Sequence, residues 1–378
     1  MEHAELDRIR TSLDNAHSPE EVFGPLAGTQ AEMLEAARSI FRQIAKAVHP
    51  DVYQRTAAFD KAGSAFKKLA QFWEQVQTRI EHGTYGAASS TDMFEPCIIR
   101  TKKCLYTIER LLARGDLCGL YIGSSILAGE KTWGILKVPI KPEDNDLAAN
   151  EARILRHLRA SDGYEKQRHF VSQLVDTFSH QEKTSGIVRW VNVLSYVEGL
   201  YSLKEVREVY AQGVDSKDMA WIWRRLLVAL GFAHANHVIH GGVLPTHVLI
   251  HPREHGVVLI DWSYAVLDPA VTGEHIRAIS ISYRDWYPAE VFAREKPTPG
   301  LDIAMAARCM IDLLGGDPHK RTMSETIPWQ IQNYLKGCTL PKPQQRPHDV
   351  HLLLGEFDDL IARLWGPRTF REFVMPKH

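Results

Sequence analysis

Cysteine is scarce in this chain and long apolar runs are missing, and each shortage excludes a class of protein. The 378 residues include five cysteines, an odd number, scattered without the C-x-x-C spacing of a zinc site or the density of a disulfide scaffold. No apolar run reaches the ~20 residues that a membrane helix requires, and the polar start resembles no signal peptide. We therefore expect reduced thiols, no zinc, no membrane partner and a cytoplasmic location.

An excess of charge of either sign is also missing. The formal net charge is −1 and the isoelectric point is near 7.0, which argues against a broad nucleic-acid-binding surface. Hydrophobic residues make up 44% and charged residues 24%, proportions typical of a globular protein. The length suits two domains, each with its own core.

The most informative feature present is a predicted helix over residues 31–48, which ends at the tripeptide His49-Pro50-Asp51. Two sets of residues repeat at helical spacing: an apolar stripe of Ala37, Phe41, Ile44 and Val48, and a basic stripe of Arg38, Arg42 and Lys46. Because Pro50 lacks a backbone donor and disfavours helical angles at the preceding residue, the helix should end at His49. His49 and Asp51 should then lie in an exposed loop.

The neighbouring segments predict two more helices, a short one opening at Ser18 and a longer one over residues 65–73 that packs back on the basic helix. Together, residues 17–83 resemble a J domain, with an extra polar helix over residues 1–16 as a departure from that family. The resemblance implies that the basic stripe and the tripeptide bind a DnaK-type heat-shock chaperone and stimulate its ATPase. The alternatives are a chance tripeptide in a turn and a basic stripe that is only a solvated helix face.

A run of small and polar residues predicts a linker over residues 84–95 and a second domain over residues 96–366, followed by a tail over 367–378. Strand patterns dominate the first half of that domain, and helical patterns dominate after about residue 203. We therefore expect a multidomain protein, with an all-α domain followed by an α+β domain of two lobes.

The order of motifs in the second domain resembles a protein kinase from about residue 97 to 365. Residues 133–138 resemble the strand with the phosphate-anchoring lysine, residues 150–155 the helix with its glutamate partner, and residues 193–199 the hinge between lobes. The resemblance implies that ATP would be bound by Gly115, Lys137, Glu151, Ser195, Val197 and Asp261. Asp302, Glu290 and Arg346 stand at positions that are structural in kinases, the last two as a buried ion pair.

The departures from the kinase pattern lie in the catalytic loop, residues 240–250. Gly241 and Gly242 replace its arginine and catalytic aspartate, Leu244 replaces a lysine near the transferring phosphate, and His247 replaces a metal-holding asparagine. Loss of a general base alone costs about 10²–10⁴-fold in rate, so that change by itself leaves catalysis open. The combined changes favour a pseudokinase, a regulatory or adaptor domain with an unidentified client or partner.

An enzyme remains the alternative. His247 and Asp261 could hold Mg²⁺ and act in catalysis, with ATP as cofactor, in a protein kinase or in a transferase that moves a nucleotide instead of a phosphate. The retained Lys137 and Glu151 could equally be a simple strand-to-helix ion pair. A cheap discriminating observation is whether Lys137, His247 and Asp261 converge on one site.

Overall fold

The computed structural model describes residues 2–16, 18–53, 56, 58–81, 85, 97–101, 103–127, 130–182 and 186–375. The chain divides into two compact units, Met1–Met93 and Phe94–His378. Nearly all of the predicted linker, residues 84–95, lies outside the described residues. In the part that is described, no helix has both the length and the apolar character to cross a membrane.

The first unit is helical. Its helices are α1 (Glu2–Asn15), α2 (Pro19–Phe23), α3 (Gln30–Val48) and α4 (Phe59–Glu81), with a 3-10 turn at Pro50–Tyr53. The prediction of a helix over residues 31–48 is confirmed. A capping box starts α3, because Thr29 Oγ1 accepts from the Glu32 amide at 3.3 Å while the Glu32 carboxylate accepts from the Thr29 amide at 2.7 Å.

Helices α3 and α4 run antiparallel. The side chain of Gln30, at the start of α3, donates to the carbonyl of Glu81 at the end of α4, and Phe41 packs on Trp73 midway along the pair. The apolar stripe faces this contact, with Ala37 and Val48 fully buried. Helix α1 runs parallel to α4 and inserts Leu6 and Leu13 into the same core, so it is part of this unit's packing.

A curled antiparallel sheet and helix α5 (Asn145–Ala160) form the small lobe of the second unit. The strands are β1 (Cys97–Arg100), β2 (Leu105–Arg114), β3 (Cys118–Leu127), β4 (Glu130–Pro139), β5 (Leu174–Gln181) and β6 (Val188–Ser195). Their order in the sheet is β1-β2-β3-β4-β6-β5. Helix α6 (Tyr164–Gln167) follows α5.

The large lobe is mainly helical. Its helices are α7 (Leu203–Val209), α8 (Ser216–Ala235), α9 (Pro269–Thr272), α10 (Ala289–Phe292), α11 (Pro299–Leu313), α12 (Trp329–Cys338) and α13 (Val350–Trp365). Its short strands are β7 (Tyr201–Ser202), β8 (Val238–Ile239), β9 (Val248–His251), β10 (Gly256–Leu259) and β11 (Val266–Leu267). Helices α8 and α11 are buried on most sides, and Trp223 and Met305 are fully enclosed between the elements around them. The structure thus has a helical N-terminal region followed by an α+β region with two lobes.

The packing of the large lobe continues past residue 366, where the sequence predicted a tail. Phe373 and Met375 are buried against the lobe, and the Tyr210 hydroxyl donates to the carbonyl of Val374 at 2.5 Å. His255 is held between the rings of Trp221 and Phe370, at centroid distances of 4.2 and 4.4 Å. Residues 370–375 therefore belong to the folded unit.

Candidate functional site

The tripeptide of the first unit lies at the surface, between α3 and α4. His49 is the last residue before the chain leaves α3, with extended backbone angles, and Pro50 begins the 3-10 turn. The Asp51 amide donates to His49 Nδ1 at 3.3 Å, and the His49 ring meets the edge of Phe66 at 5.0 Å. These contacts hold the imidazole in one orientation while the Asp51 side chain stays exposed.

The three basic residues predicted to bind a chaperone lie on the exposed side of α3. Arg38, Arg42 and Lys46 are all exposed, one turn apart, opposite the buried stripe. Glu35 contacts Arg38 at 3.2 Å and Arg42 at 4.0 Å. Exposed pairs of this kind are worth at most about 1 kcal/mol, so Glu35 holds these two arginines only weakly.

In the second unit, an ion network joins the two lobes, and its centre is Lys137 on β4. The Lys137 ammonium donates to Glu151 Oε1 on α5 at 2.9 Å, to Asp261 Oδ1 at 2.5 Å and to Ser263 Oγ at 2.9 Å. All three N–H groups of the ammonium therefore have an acceptor. Lys137 and Glu151 are buried, and Asp261 is 21% exposed.

The charges in this network stabilise one another. Burial by itself would lower the pKa of Lys137, but the carboxylates of Asp261 and Glu151 outweigh it and raise that pKa. Burial would likewise raise the pKa of Asp261, and the charges of Lys137 and His247 outweigh it and hold it well below its usual range. Lysine and aspartate are therefore both ionised at neutral pH.

A second layer of buried amides fixes the carboxylates. Asn192 donates to Glu151 Oε2 at 3.0 Å, and the Trp262 amide donates to Glu151 Oε1 at 3.2 Å. Asn150, beside Glu151 on α5, donates to the carbonyls of Ser263 and Ala265 at 3.1 and 2.9 Å. Sequence reasoning missed these amides and Ser263, although Asn150 lies within a predicted motif.

His247, in the loop of residues 240–250, completes the cluster. Its Nδ1 lies 2.8 Å from the carbonyl of Gly242, and its Nε2 lies 3.3 Å from Asp261 Oδ2. Because a carbonyl oxygen only accepts, Nδ1 carries a proton and donates it to Gly242. Lys137, His247 and Asp261 thus converge on one site, the observation that the sequence analysis identified as discriminating.

The loop that carries Gly242 is fixed by buried polar groups. Asp302, fully buried on α11, accepts from the amides of His240 and Gly241 at 2.8 Å each and contacts His234 Nε2 at 2.9 Å. His240 Nε2 lies 3.0 Å from the Ile260 carbonyl, and its Nδ1 accepts from the Gly242 amide at 3.2 Å. Burial lowers the pKa of His240 to about 4, so this ring is neutral.

Other side chains fill the space that side chains at the two glycines would take. A Cβ added at Gly242 would lie 2.9 Å from Cδ2 of Tyr264, and one at Gly241 would lie 2.3 Å from Cδ1 of Ile276. Gly241 also has a φ of +70°, which favours glycine. Tyr264 is buried and stacks on His247 at 5.9 Å. The space beside Gly242 is therefore occupied by the ring of Tyr264.

The predicted glycine-rich loop is a short turn between β2 and β3. The Gly115 amide donates to the Cys118 carbonyl at 2.9 Å, so it is already satisfied. Asp116, at the tip, accepts hydrogen bonds from Ser280 and Ser282 of the large lobe. Ser195 ends β6 opposite Gly134, and Val197 is 49% exposed in the segment that follows.

Mg²⁺ prefers six oxygen ligands in an octahedron, and the described side chains around Asp261 do not offer such a set. Among the described residues, no group of three or more His, Cys, Asp or Glu side chains is arranged to hold a metal ion. Asp261 directs one oxygen at Lys137 and the other at His247. A magnesium ion would have to displace Lys137 or His247 from Asp261, so the site in this conformation does not fit Mg²⁺.

No protein-family model matches the chain. The assignment of each unit therefore depends on its residues and their geometry.

Proposed function

We propose that this protein is a co-chaperone with a J-domain-like helical unit, joined to a kinase-like unit that does not transfer phosphate. The helical unit would stimulate the ATPase of a DnaK-type chaperone. The kinase-like unit would be a binding or regulatory module with an unidentified client.

One observation carries the first part of the proposal. Asp51 is exposed and His49 and Pro50 are partly exposed at the end of a helix whose outer face is basic, and that helix pairs antiparallel with α4. An exposed acidic surface on an ATPase domain would meet positive charge along α3 and a fixed imidazole at its end. Charge complementarity of this kind mainly speeds association and fixes orientation.

The test is steady-state ATP hydrolysis by a DnaK-type chaperone with and without the full chain. Wild type should stimulate hydrolysis, and His49→Gln or Asp51→Asn should abolish the stimulation. Both side chains are substantially exposed, so neither change should alter stability by more than about 0.5 kcal/mol. Asp60→Asn, an exposed aspartate at the start of α4, is the matched control and should stimulate like wild type. Equal stimulation by wild type and both loop variants would contradict the proposal.

The second part of the proposal depends on the catalytic loop. No carboxylate is present in residues 240–250, and Tyr264 occupies the space beside Gly242. A substrate hydroxyl would therefore find no carboxylate in this loop to accept its proton. The retained Lys137, Glu151 and Asp261 support nucleotide binding or lobe closure in place of transfer.

A transferase is the second candidate, favoured by the convergence of Lys137, Asp261 and His247 on one site. ATP labelled at the terminal or at the innermost phosphate distinguishes the two candidates. Phosphate transfer marks protein only from the first label, and nucleotide transfer marks it from the second. We expect neither label to be incorporated. Labelling that is lost in Asp261→Ala would overturn the non-catalytic assignment.

A further inference from the structure

A second set of contacts joins the two lobes, at the tip of the β2–β3 turn. The Asp116 carboxylate accepts from Ser280 Oγ at 2.5 Å, from Ser282 Oγ at 2.6 Å and from the Ser282 amide at 3.1 Å. Asp116 belongs to the small lobe and both serines belong to the large lobe. This turn would lie over the phosphates of a nucleotide in the proposed cleft. It is hydrogen-bonded through Asp116 to the large lobe.

The chemistry of this contact favours a closed arrangement. Hydrogen bonds to an ionised carboxylate are shorter and stronger than those between neutral groups, and here one carboxylate accepts three. Burial would raise the pKa of Asp116, but the hydrogen bonds from Ser280 and Ser282 outweigh it and lower that pKa. Asp116 is therefore fully ionised at neutral pH, when the contact is strongest.

The serine segment is itself anchored to the large lobe. Ser280 is buried, and its amide donates to the Tyr287 hydroxyl at 3.2 Å. Four residues earlier, Ile276 is buried and fills the space beside Gly241. At one end of this segment, Ile276 fills the space beside Gly241. At the other end, Ser280 and Ser282 bind Asp116 in the small-lobe turn.

We propose that Asp116, Ser280 and Ser282 form a latch that controls nucleotide access to the cleft between the lobes. This inference rests on the proposed nucleotide-binding role of that cleft. The Lys137 network joins the lobes at β4 and α5, and the latch joins them at the tip of the β2–β3 turn. A nucleotide therefore binds only when the latch opens. Weakening the latch raises the population of the open form and, with it, the association rate.

The test has two readouts on the full chain. The first is hydrogen–deuterium exchange of the Ser282 amide and of residues 115–117, which reports the latch without any ligand. The second is stopped-flow association of a fluorescent ATP analogue, with and without Mg²⁺. The variants are Asp116→Ala, which removes the acceptor, and Ser282→Asp, which places a second negative charge against Asp116. Asp162→Ala, an exposed aspartate elsewhere in the small lobe, is the matched control.

Both latch variants should expose the backbone amide of residue 282 to exchange and speed nucleotide association by about tenfold or more, while the control behaves like wild type. Unchanged exchange in both variants would overturn the latch itself. Faster exchange with an unchanged association rate would overturn its control of access. Faster exchange without nucleotide binding by any variant would instead refute the proposed nucleotide-binding role, and the gating inference with it.

Discussion

Introducing a carboxylate at position 242 should not produce phosphate transfer. Under the proposed kinase likeness, the change Gly242→Asp places an aspartate where that family has its catalytic base. A Cβ at this position would lie 2.9 Å from Cδ2, 3.4 Å from Cγ and 3.5 Å from Cβ of Tyr264. Because the first distance is shorter than a normal carbon–carbon contact and Tyr264 is buried, the ring must move or the loop must shift.

The cost can be estimated from that contact. Adding atoms to a well-packed site costs about 1–3 kcal/mol, and a buried carboxylate without a partner adds to this. Gly242 does not have a positive φ, so the penalty is steric and electrostatic and does not come from backbone strain. Gly242→Ala isolates the steric part, and we expect it to lower the free energy of unfolding by about 1–3 kcal/mol.

The assay is urea denaturation of the full chain together with transfer from ATP labelled at the terminal phosphate. Gly355→Ala in α13 is the matched control, because a Cβ there meets nothing within 4 Å and alanine should stabilise a helix by up to about 1 kcal/mol. Gly242→Ala and Gly242→Asp should destabilise, and Gly242→Asp should transfer no phosphate. Robust transfer by Gly242→Asp, or wild-type stability of both variants, would refute the idea that Tyr264 has taken over this space.

Two further predictions concern stability. Arg346 forms a buried ion pair with Glu290 and donates to the carbonyls of Leu340 and Pro341. In urea denaturation, Arg346→Ala should therefore lower the free energy of unfolding by about 3–5 kcal/mol. The control is Lys204→Ala, whose ion pair is exposed and whose loss should cost about 0.5 kcal/mol or less. Because the pKa of buried His240 is about 4, the unfolded chain binds a proton there that the folded chain excludes. Stability should therefore fall by up to about 3 kcal/mol as the pH drops from about 6.5 to 4, and His240→Phe should flatten that dependence.

Local periodicity and motif order were sufficient for the parts of the fold built on regular elements. Helix α3 was predicted within one residue of its start, because its apolar stripe and the following proline mark both its face and its end. Lys137 was predicted on a strand and Glu151 on a helix, and both are found there. The predicted buried pair of Glu290 and Arg346 is confirmed.

The contacts that determine what the cleft can do were not predictable in the same way. Gly241 and Gly242 have no side chains, but Ile276 and Tyr264, which fill the space beside them, lie more than 20 residues away along the chain. The contact between Asp116 and Ser280 spans 164 residues. An aspartate beside a glycine in a short turn is usually solvated, and no periodicity distinguishes one that crosses to another lobe.

The C-terminal segment was missed for a related reason. Residues 367–378 are short and contain two prolines, and their apolar side chains follow neither helical nor strand spacing. The structure nevertheless buries Phe373, and Arg371 forms ion pairs with Asp215 and Asp218 at the start of α8. A segment without regular structure stabilises the fold through individual side-chain contacts. Such contacts cannot be predicted from the segment alone, because they depend on the surface that it packs against.

The retention of Lys137, Glu151 and Asp261 has a physical explanation that does not require catalysis. Glu151 is fully buried and Lys137 nearly so, and each is neutralised by the network. Removing one member of such a set leaves an uncompensated buried charge, which costs about 3–5 kcal/mol. A carboxylate at position 242 would have no such partner, because His240 and Asp302 hold that loop through backbone amides. In the proposed kinase-like unit, a base at position 242 could therefore be lost while the ions that join the lobes are kept.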